Sequence, residues 1–434
     1  MALDKKVDIF LRQCKMHCDT IDMHRETAAF QRQMRDGLEG KPSSLQMIPT
    51  FITVAAELPA GREVIVMDAG GTNFRVAVVR RESDGTMTVS HFSKHPMPGT
   101  RGRLDARAFF SEIVSLLEPV LRQSDAETVG FCFSFATEML PNREGRIRPF
   151  SKELEVEGAV GCLIGENLNI ILRERGYEPR RFVLLNDSVA TMLAGMAEST
   201  GRDYDGFIGY ILGTGTNTCY LERCSHIGKI PEAAAMSGQM AINCESGTYD
   251  GFTQGIFDQQ LDRESNDPGS YRMEKMMSGA YQGKLICKTV KGAAQAGLFT
   301  PAFTDRLNAF ERFTMPQIDG FCANRNSGDL AELAADKADS ETLFDIIDVS
   351  FERSARMSAI VFASIILHCG IGKNREKPVC ITAEGTSFTK SVLYAPKLHR
   401  YIRDFLLGEL GLHCDVISVK DATLFGAAIA ALMS

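Results

Sequence analysis

Asp68 closes an apolar run, Val64 to Met67, and is followed at once by Gly70 and Gly71; Thr72, Asn73 and Arg75 then lead a second run out to Arg80. A carboxylate at a strand end can hold a hydrated Mg²⁺. The backbone N–H groups of a tight glycine turn form a concavity that binds anions, and glycine permits positive φ and close approach of a ligand. These residue types fit a hairpin that receives nucleotide phosphates. The string is not the Gly-x-x-x-x-Gly-Lys-Ser/Thr loop, because no lysine follows the glycines. An ordinary Gly-Gly hairpin is the plain alternative. A second donor-rich turn, Gly213-Thr214-Gly215-Thr216, suits another phosphate or the β/γ end of the same nucleotide, with a ligand-free hairpin again the alternative. Glu384-Gly385-Thr386, after an apolar strand, could touch a nucleoside or phosphate from the other side.

Asn186-Asp187 follows the strand-like run Arg181 to Leu185 and precedes a helical pattern. Ligands of open α/β sheets bind at the carboxyl ends of strands, where an aspartate can accept a hydroxyl proton. Asp187 or Ser188 can equally just cap the next helix, and the local sequence supports both. Asn217, Asn243, Glu245 and Glu274 lie near glycine-containing turns. Planar amides and carboxylates of this kind suit the vicinal hydroxyls of a sugar, and their joint occurrence carries that reading.

The elements that must position these groups alternate. Helical periodicity covers 4–37; strands are expected at 64–68, 74–80 and 87–92, a helix at 106–122, a strand at 129–135, a helix at 156–173, a strand at 181–185 and a helix from Ser188 to Met196. The pattern then restarts with a strand at 207–212, the Gly213 turn and a strand at 218–222. After a polar middle come a helix at 350–369, a strand at 378–383, a helix at 395–407, a strand at 414–419 and a helix at 422–432. The order is that of an α/β protein, and the duplication suggests two similar domains facing a shared cleft.

A chain of 434 residues exceeds one core, and its 44% hydrophobic and 24% charged content is that of a soluble globular protein. A net charge of −7 argues against broad nucleic-acid or membrane binding. The charged N-terminus has no apolar signal region and no run is long enough to span a bilayer, so a cytoplasmic location is expected. The twelve cysteines form no Cys-x-x-Cys pair. Cys132, Cys162, Cys219 and Cys380 read as buried, reduced thiols, and the eight histidines show no metal-ligand spacing.

Taken in order, the segments resemble the hexokinase/glucokinase family of sugar kinases over nearly the whole chain. MDAGGTNFRVAVV (67–79) is similar to the family's first phosphate motif and ILGTGTNTCYLE (211–222) to the second. GFCFSFA (130–136) and FSKELEVEG (150–158) resemble its sugar-binding segments, LLNDSVATML (184–193) the segment of the catalytic aspartate, and MAINCESGTYDGF (240–252) the sugar loop. PGSYRMEKMMSGAYQGKL (268–285) and ITAEGTSF (381–388) resemble the later Glu/Ser-Gly and adenosine motifs.

The resemblance implies two actin-like (RNase H-like) domains, each a mixed β-sheet flanked by helices, with a cleft between them. The small domain would be 62–188 with the helix 422–434 returning to it; the large would be 1–61 and 189–421. It implies transfer of the ATP γ-phosphoryl to the 6-hydroxyl of a hexose, glucose first, with ATP and Mg²⁺ required. Asp187 would be the general base. Ser151 and Lys152 would hold the hydroxyl and incoming phosphate. Asn186, Asn217, Asn243, Glu245 and Glu274 would bind the other hydroxyls, beside Ser134. Asp68 would orient Mg²⁺ through water. Gly70, Gly71, Thr72, Asn73 and Arg75 would meet the phosphates with Gly213, Thr214, Gly215 and Thr216, and Gly385, Thr386 and Ser387 would lie by the adenosine.

The chain departs from the family pattern at Ala136, at Glu153, at Ser246 in a loop without tryptophan, and at Asp421-Ala-Thr-Leu-Phe-Gly426. These departures bear on which sugar is used, leaving open another hexose, an N-acyl hexosamine or a non-catalytic sugar sensor. No nucleic-acid or membrane partner is implied, and monomer and homodimer stay open.

Overall fold

Runs rich in Val, Ile and Phe build eleven strands in two sheets in the computed structural model, which describes residues 3–53, 58–149, 156–199 and 201–434. They are β1 (Ile48–Thr53), β2 (Glu63–Ala69), β3 (Asn73–Arg81), β4 (Met87–Pro96), β5 (Thr128–Phe133), β6 (Arg181–Leu185), β7 (Gly206–Leu212), β8 (Thr216–Arg223), β9 (Gln239–Asn243), β10 (Val379–Glu384) and β11 (Cys414–Ile417).

The first sheet runs β4-β3-β2-β5-β6, antiparallel through its hairpins and parallel from β2 to β6. The second runs β9-β8-β7-β10-β11 with the same alternation, and β1 is added antiparallel outside β9. Numbered within each half, both sheets read 3-2-1-4-5. The duplicated strand–turn–strand seen in the sequence is thus a duplicated sheet.

Strand alternation sends β2 into two cores. Ile65, Met67 and Ala69 join Phe109, Phe110 and Ile113 of the helix Ala106–Leu121, whereas Val64 and Val66 pack with Ala427, Ala428 and Ala431 of the helix Ala422–Leu432. That last helix lies on the first sheet, while the helix Asp187–Glu198, which ends the first half, lies on the second. The halves have exchanged their final helices. The two exchanged helices also cross each other so closely that a Cβ on Gly426 would sit 1.9 Å from the Ala190 carbonyl oxygen.

Several expected boundaries shift for physical reasons. The N-terminal periodicity is two helices, Lys5–Gln13 and Met23–Leu38, the second begun by Asp22, whose side chain accepts the Arg25 N–H. The helix expected from 156 begins at Ile164, because Val156–Glu157 pairs as a short strand with Leu104–Asp105. The helix expected from 350 starts at Lys337, where Asp336 caps the Asp339 N–H, and runs 33 residues to a left-handed Gly370. It is tied to the middle segment by a buried pair, Arg353 Nη1 to Asp258 Oδ1 at 3.0 Å. Lys275 forms another buried pair with Asp262 at 2.7 Å. Cys162, expected to be buried, is half-exposed; Cys132, Cys219 and Cys380 are buried, and all twelve thiols are free. Among the described residues no helix is long and apolar enough to cross a membrane.

Candidate functional site

Asp187 stands where β6 becomes a helix. Asn186 is that helix's N-cap: its Oδ1 accepts the Ser188 N–H at 2.9 Å and the Ser188 hydroxyl at 2.8 Å. The cap of the two sequence alternatives therefore falls mainly to Asn186, although Asp187 Oδ1 also accepts the Ser188 N–H at 2.8 Å. The Asn217 amide, from β8, reaches the same Asn186 oxygen at 3.1 Å and the Asn243 oxygen at 2.8 Å. Asn243 donates in turn to Glu245 Oε1 at 2.7 Å. Asn217 is 8% exposed, and its own oxygen accepts the Thr218 and Ser246 N–H groups. Four polar side chains expected to touch one ligand are thus joined in one network.

Glu245 holds this place with φ 52, a left-handed conformation unfavourable for a side chain with a Cβ. The hydroxyl of Ser246, fully buried, accepts from Thr218 at 2.5 Å. Glu274 approaches from the helix Arg272–Met277 and accepts the Thr216 N–H at 3.0 Å, which ties the sugar-type carboxylate to the second glycine turn. Thr50, Phe133, Phe135, Thr137, Met139, Leu184 and Leu185 line a cavity together with Asn186, Asn243 and Glu245. Ser134 borders it, half-buried, with its N–H on the Ala69 carbonyl. Ser151 and Lys152 lie outside the described residues.

The hairpin around Gly70 and Gly71 differs from its expectation in one respect: neither glycine adopts a left-handed φ. The Gly70 N–H is used inside the turn, on the Asn73 carbonyl at 3.0 Å, while Gly71, Thr72 and Asn73 are exposed. Absence of side chains, rather than unusual backbone, keeps this turn open. Gly213 likewise bonds Gly215 within its own turn at 2.9 Å. The Gly213 carbonyl accepts from Gly279 N–H at 2.8 Å and from the Ser387 hydroxyl at 3.2 Å, and the Thr214 carbonyl accepts from Ala280. Gly385 has φ 118, and a Cβ there would come within 2.3 Å of the Leu212 carbonyl oxygen. Gly385, Thr386 and Ser387 therefore adjoin the Gly213–Thr216 turn, and only glycine fits at 385.

Arg75, expected at the phosphates, reaches across to the opposed strand and pairs with Asp68. Its Nε donates to Asp68 Oδ2 at 2.8 Å and its Nη2 to the same oxygen, while Nη1 donates to Asp421 at 3.1 Å. Register explains this placement, since Asp68 and Arg75 are directly opposed on β2 and β3.

Glu384, legible in the sequence only as part of a turn toward the nucleoside, ends β10. Burial pushes its carboxyl up to about 7; the nearby Asp68 and Asp187 charges add to this, against the Thr191 hydroxyl bond at 3.1 Å and the Arg75 charge. It is the group through which the second sheet faces Asp68 and Asp187 of the first. The available signal was an acidic residue ending an apolar strand, the same signal that marks Asn186-Asp187. Cys132 lies opposite Asp68, its thiol driven well up by burial and then by Asp68 and Asp187.

The site is rich in oxygen ligands: Asp68, Glu384 and Asp421 surround the Arg75 guanidinium, and Asp187 lies near Glu384. That set fits a hard cation such as Mg²⁺. The exposed glycine turn beside it fits phosphates.

Two family models, both described as Hexokinase, match the chain at residues 6–197 and 207–433. A glucokinase of Aspergillus niger is 26% identical over 95% of this chain and 94% of its own length. Hexokinase-7 of Oryza sativa subsp. japonica is 28% identical over 93% of this chain and 92% of its own. A hexokinase from Schistosoma mansoni, solved with glucose, superposes with a TM-score of 0.80 at 20% identity, covering 98% of this chain and 99% of that one.

Proposed function

Because the chain belongs to the hexokinase family and is an ATP-dependent sugar kinase, we propose that its acceptor is the 6-hydroxyl of glucose and that Asp187 is the general base. The observation that carries this reading is the network of Asn186, Asn217, Asn243 and Glu245 immediately beside Asp187, with Glu274 joining it to the second glycine turn. Glucose is favoured as the acceptor because the Schistosoma mansoni relative was solved with it.

In this reading the amides and carboxylates of the network hold the ring hydroxyls, so that the 6-hydroxyl faces Asp187. Asp187 takes its proton as the oxygen attacks the γ-phosphorus. Transfer needs an in-line nucleophile and donors for the charge on the phosphoryl oxygens more than covalent help. Exposed N–H groups at Gly71 to Asn73, with Thr214 and Gly215 of the Gly213–Thr216 turn, supply those donors, with Ser151 and Lys152 at the acceptor hydroxyl. Gly385, Thr386 and Ser387 sit by the nucleoside. A bound Mg²⁺ would neutralise charge on the β- and γ-oxygens, and Asp68 would orient it through water. Residues 62–188 with 422–434 form the small domain and 1–61 with 189–421 the large one. The paired final helices carry their closure.

The test is ADP release, coupled to a dehydrogenase, over glucose, mannose, fructose, glucosamine and N-acetylglucosamine. Glucose should give the highest kcat/KM, and Asp187→Ala should lower kcat by about 10²–10⁴-fold with glucose binding retained. No turnover on any of these sugars would refute the reading; a variant keeping a tenth of the rate would refute the role of Asp187.

A further inference from the structure

The C-terminal helix enters the phosphate site through two side chains that the motifs do not assign. The Thr423 hydroxyl donates to Asp68 Oδ2 at 3.0 Å and accepts from Arg75 Nη2 at 2.8 Å. A guanidinium only donates, so the single hydroxyl proton must go to the carboxylate. Both Thr423 and Asp68 are buried, at 6% and 3% exposure.

Asp421 is the helix N-cap residue, a position where aspartate ordinarily bonds the first free N–H groups. Here its side chain makes no cap bond; the residue sits at φ 52, ψ 36, and its carboxylate accepts from Arg75 Nη1. A left-handed aspartate that forgoes its cap is an unfavourable local choice, and such choices persist where the surroundings impose them. The imposed contact is the one with Arg75.

All three bonds from Arg75 and Thr423 to Asp68 fall on Oδ2, leaving Oδ1 without a contact from either. The carboxylate is thereby fixed in rotation, and Arg75 is fixed at all three nitrogens. Its guanidinium is committed to this brace.

We infer that Thr423 and Asp421 are positioning residues that act through Arg75 to hold Asp68 in the orientation that sets divalent-metal affinity. The inference rests on the reading of Asp68 as the metal-orienting carboxylate. It makes the start of the last helix part of the phosphate machinery, and it separates metal affinity from sugar affinity: the brace touches none of Asn186, Asn217, Asn243 or Glu245.

The variants are Thr423→Val, which keeps the shape and removes the hydroxyl; Thr423→Ser, which keeps the hydroxyl; and Asp421→Asn, which tolerates the left-handed backbone and removes the charge. Mn²⁺ binding is read by electron paramagnetic resonance on the full chain with a non-hydrolysable ATP analogue, and half-saturating Mg²⁺ is read at saturating glucose and ATP. Thr423→Val should weaken both by about tenfold, the scale of one hydrogen bond to a charged group, with the glucose KM unchanged. Thr423→Ser should restore both to within about twofold, and Asp421→Asn should weaken both by about threefold.

Wild-type Mn²⁺ affinity in both Thr423→Val and Asp421→Asn would overturn the inference. If the buried Thr423→Val does not fold, Asp421→Asn decides alone, since that side chain is 40% exposed. A wild-type protein that turns over no hexose, yet shows the Mn²⁺ shifts, would refute the glucose reading and leave this one standing.

Discussion

Replacing Glu384 with glutamine tests how the two sheets meet in the cleft. The carboxyl moves from an ordinary 4.5 to about 7 on folding, chiefly through burial. Between those values the native protein binds a proton that the unfolded chain has released, so stability must fall as pH rises through this window. At about 1.4 kcal/mol per pH unit over the interval from 4.5 to 7, the loss is about 3 kcal/mol. The glutamine of Glu384→Gln does not titrate, and its amide oxygen can still accept the Thr191 hydroxyl. Below pH 4.5 the two proteins should therefore respond alike to pH; above pH 7 the variant should have gained about 3 kcal/mol on the wild type. Urea unfolding across this window and about one pH unit beyond each end, with EDTA present, measures that difference directly. A difference that stays flat across the window, or grows as pH falls, would refute the account of Glu384 as a half-buried carboxyl facing Asp68 and Asp187.

Two further substitutions probe the frame that holds the site. Gly426→Ala places a Cβ 1.9 Å from the Ala190 carbonyl, so the helices must separate; a loss of at least about 1–3 kcal/mol should appear in urea melts, together with lowered kcat. Arg353→Ala leaves Asp258 buried without its cation and should cost about 3–5 kcal/mol by the same measurement, with sugar affinity in the surviving folded fraction unchanged.

The sequence was most legible where one local pattern decides the outcome. The strand Arg181–Leu185 and the helix Ala422–Leu432 fall where their apolar runs place them, and the two glycine turns mark the ends of β2 and β7. The network at Asn217 was legible only as a set of residue types, because its bonds join β8, β9 and the end of β6. Nothing local announces which partners Arg75 takes beyond the opposed Asp68. Its partners Asp421 and Thr423 are about 350 residues distant, and their pairing follows from the last helix lying on the first sheet. The long helix was read thirteen residues short at its start because Lys337 to Val349 mixes acidic and apolar residues in a stretch that resembles a polar loop. Positive φ at Gly70 and Gly71 was expected from residue type alone, but an open turn needs only the missing side chains.

The exchange of final helices also bears on how the chain comes off the ribosome. Synthesis ordinarily lets an N-terminal domain close while the rest is still being made. Here one face of the sheet built from residues 63–185 is covered by a helix at 422–432, so Val64 and Val66 stay uncovered until those last residues emerge. The helix Asp187–Glu198, meanwhile, has no sheet to lie on until β7, β8 and β10 exist. The first half must therefore wait, with an apolar face open, while translation proceeds from residue 185 to residue 422. A nascent chain halted before residue 422 should hold its strands in a loose, chaperone-dependent state rather than a finished domain.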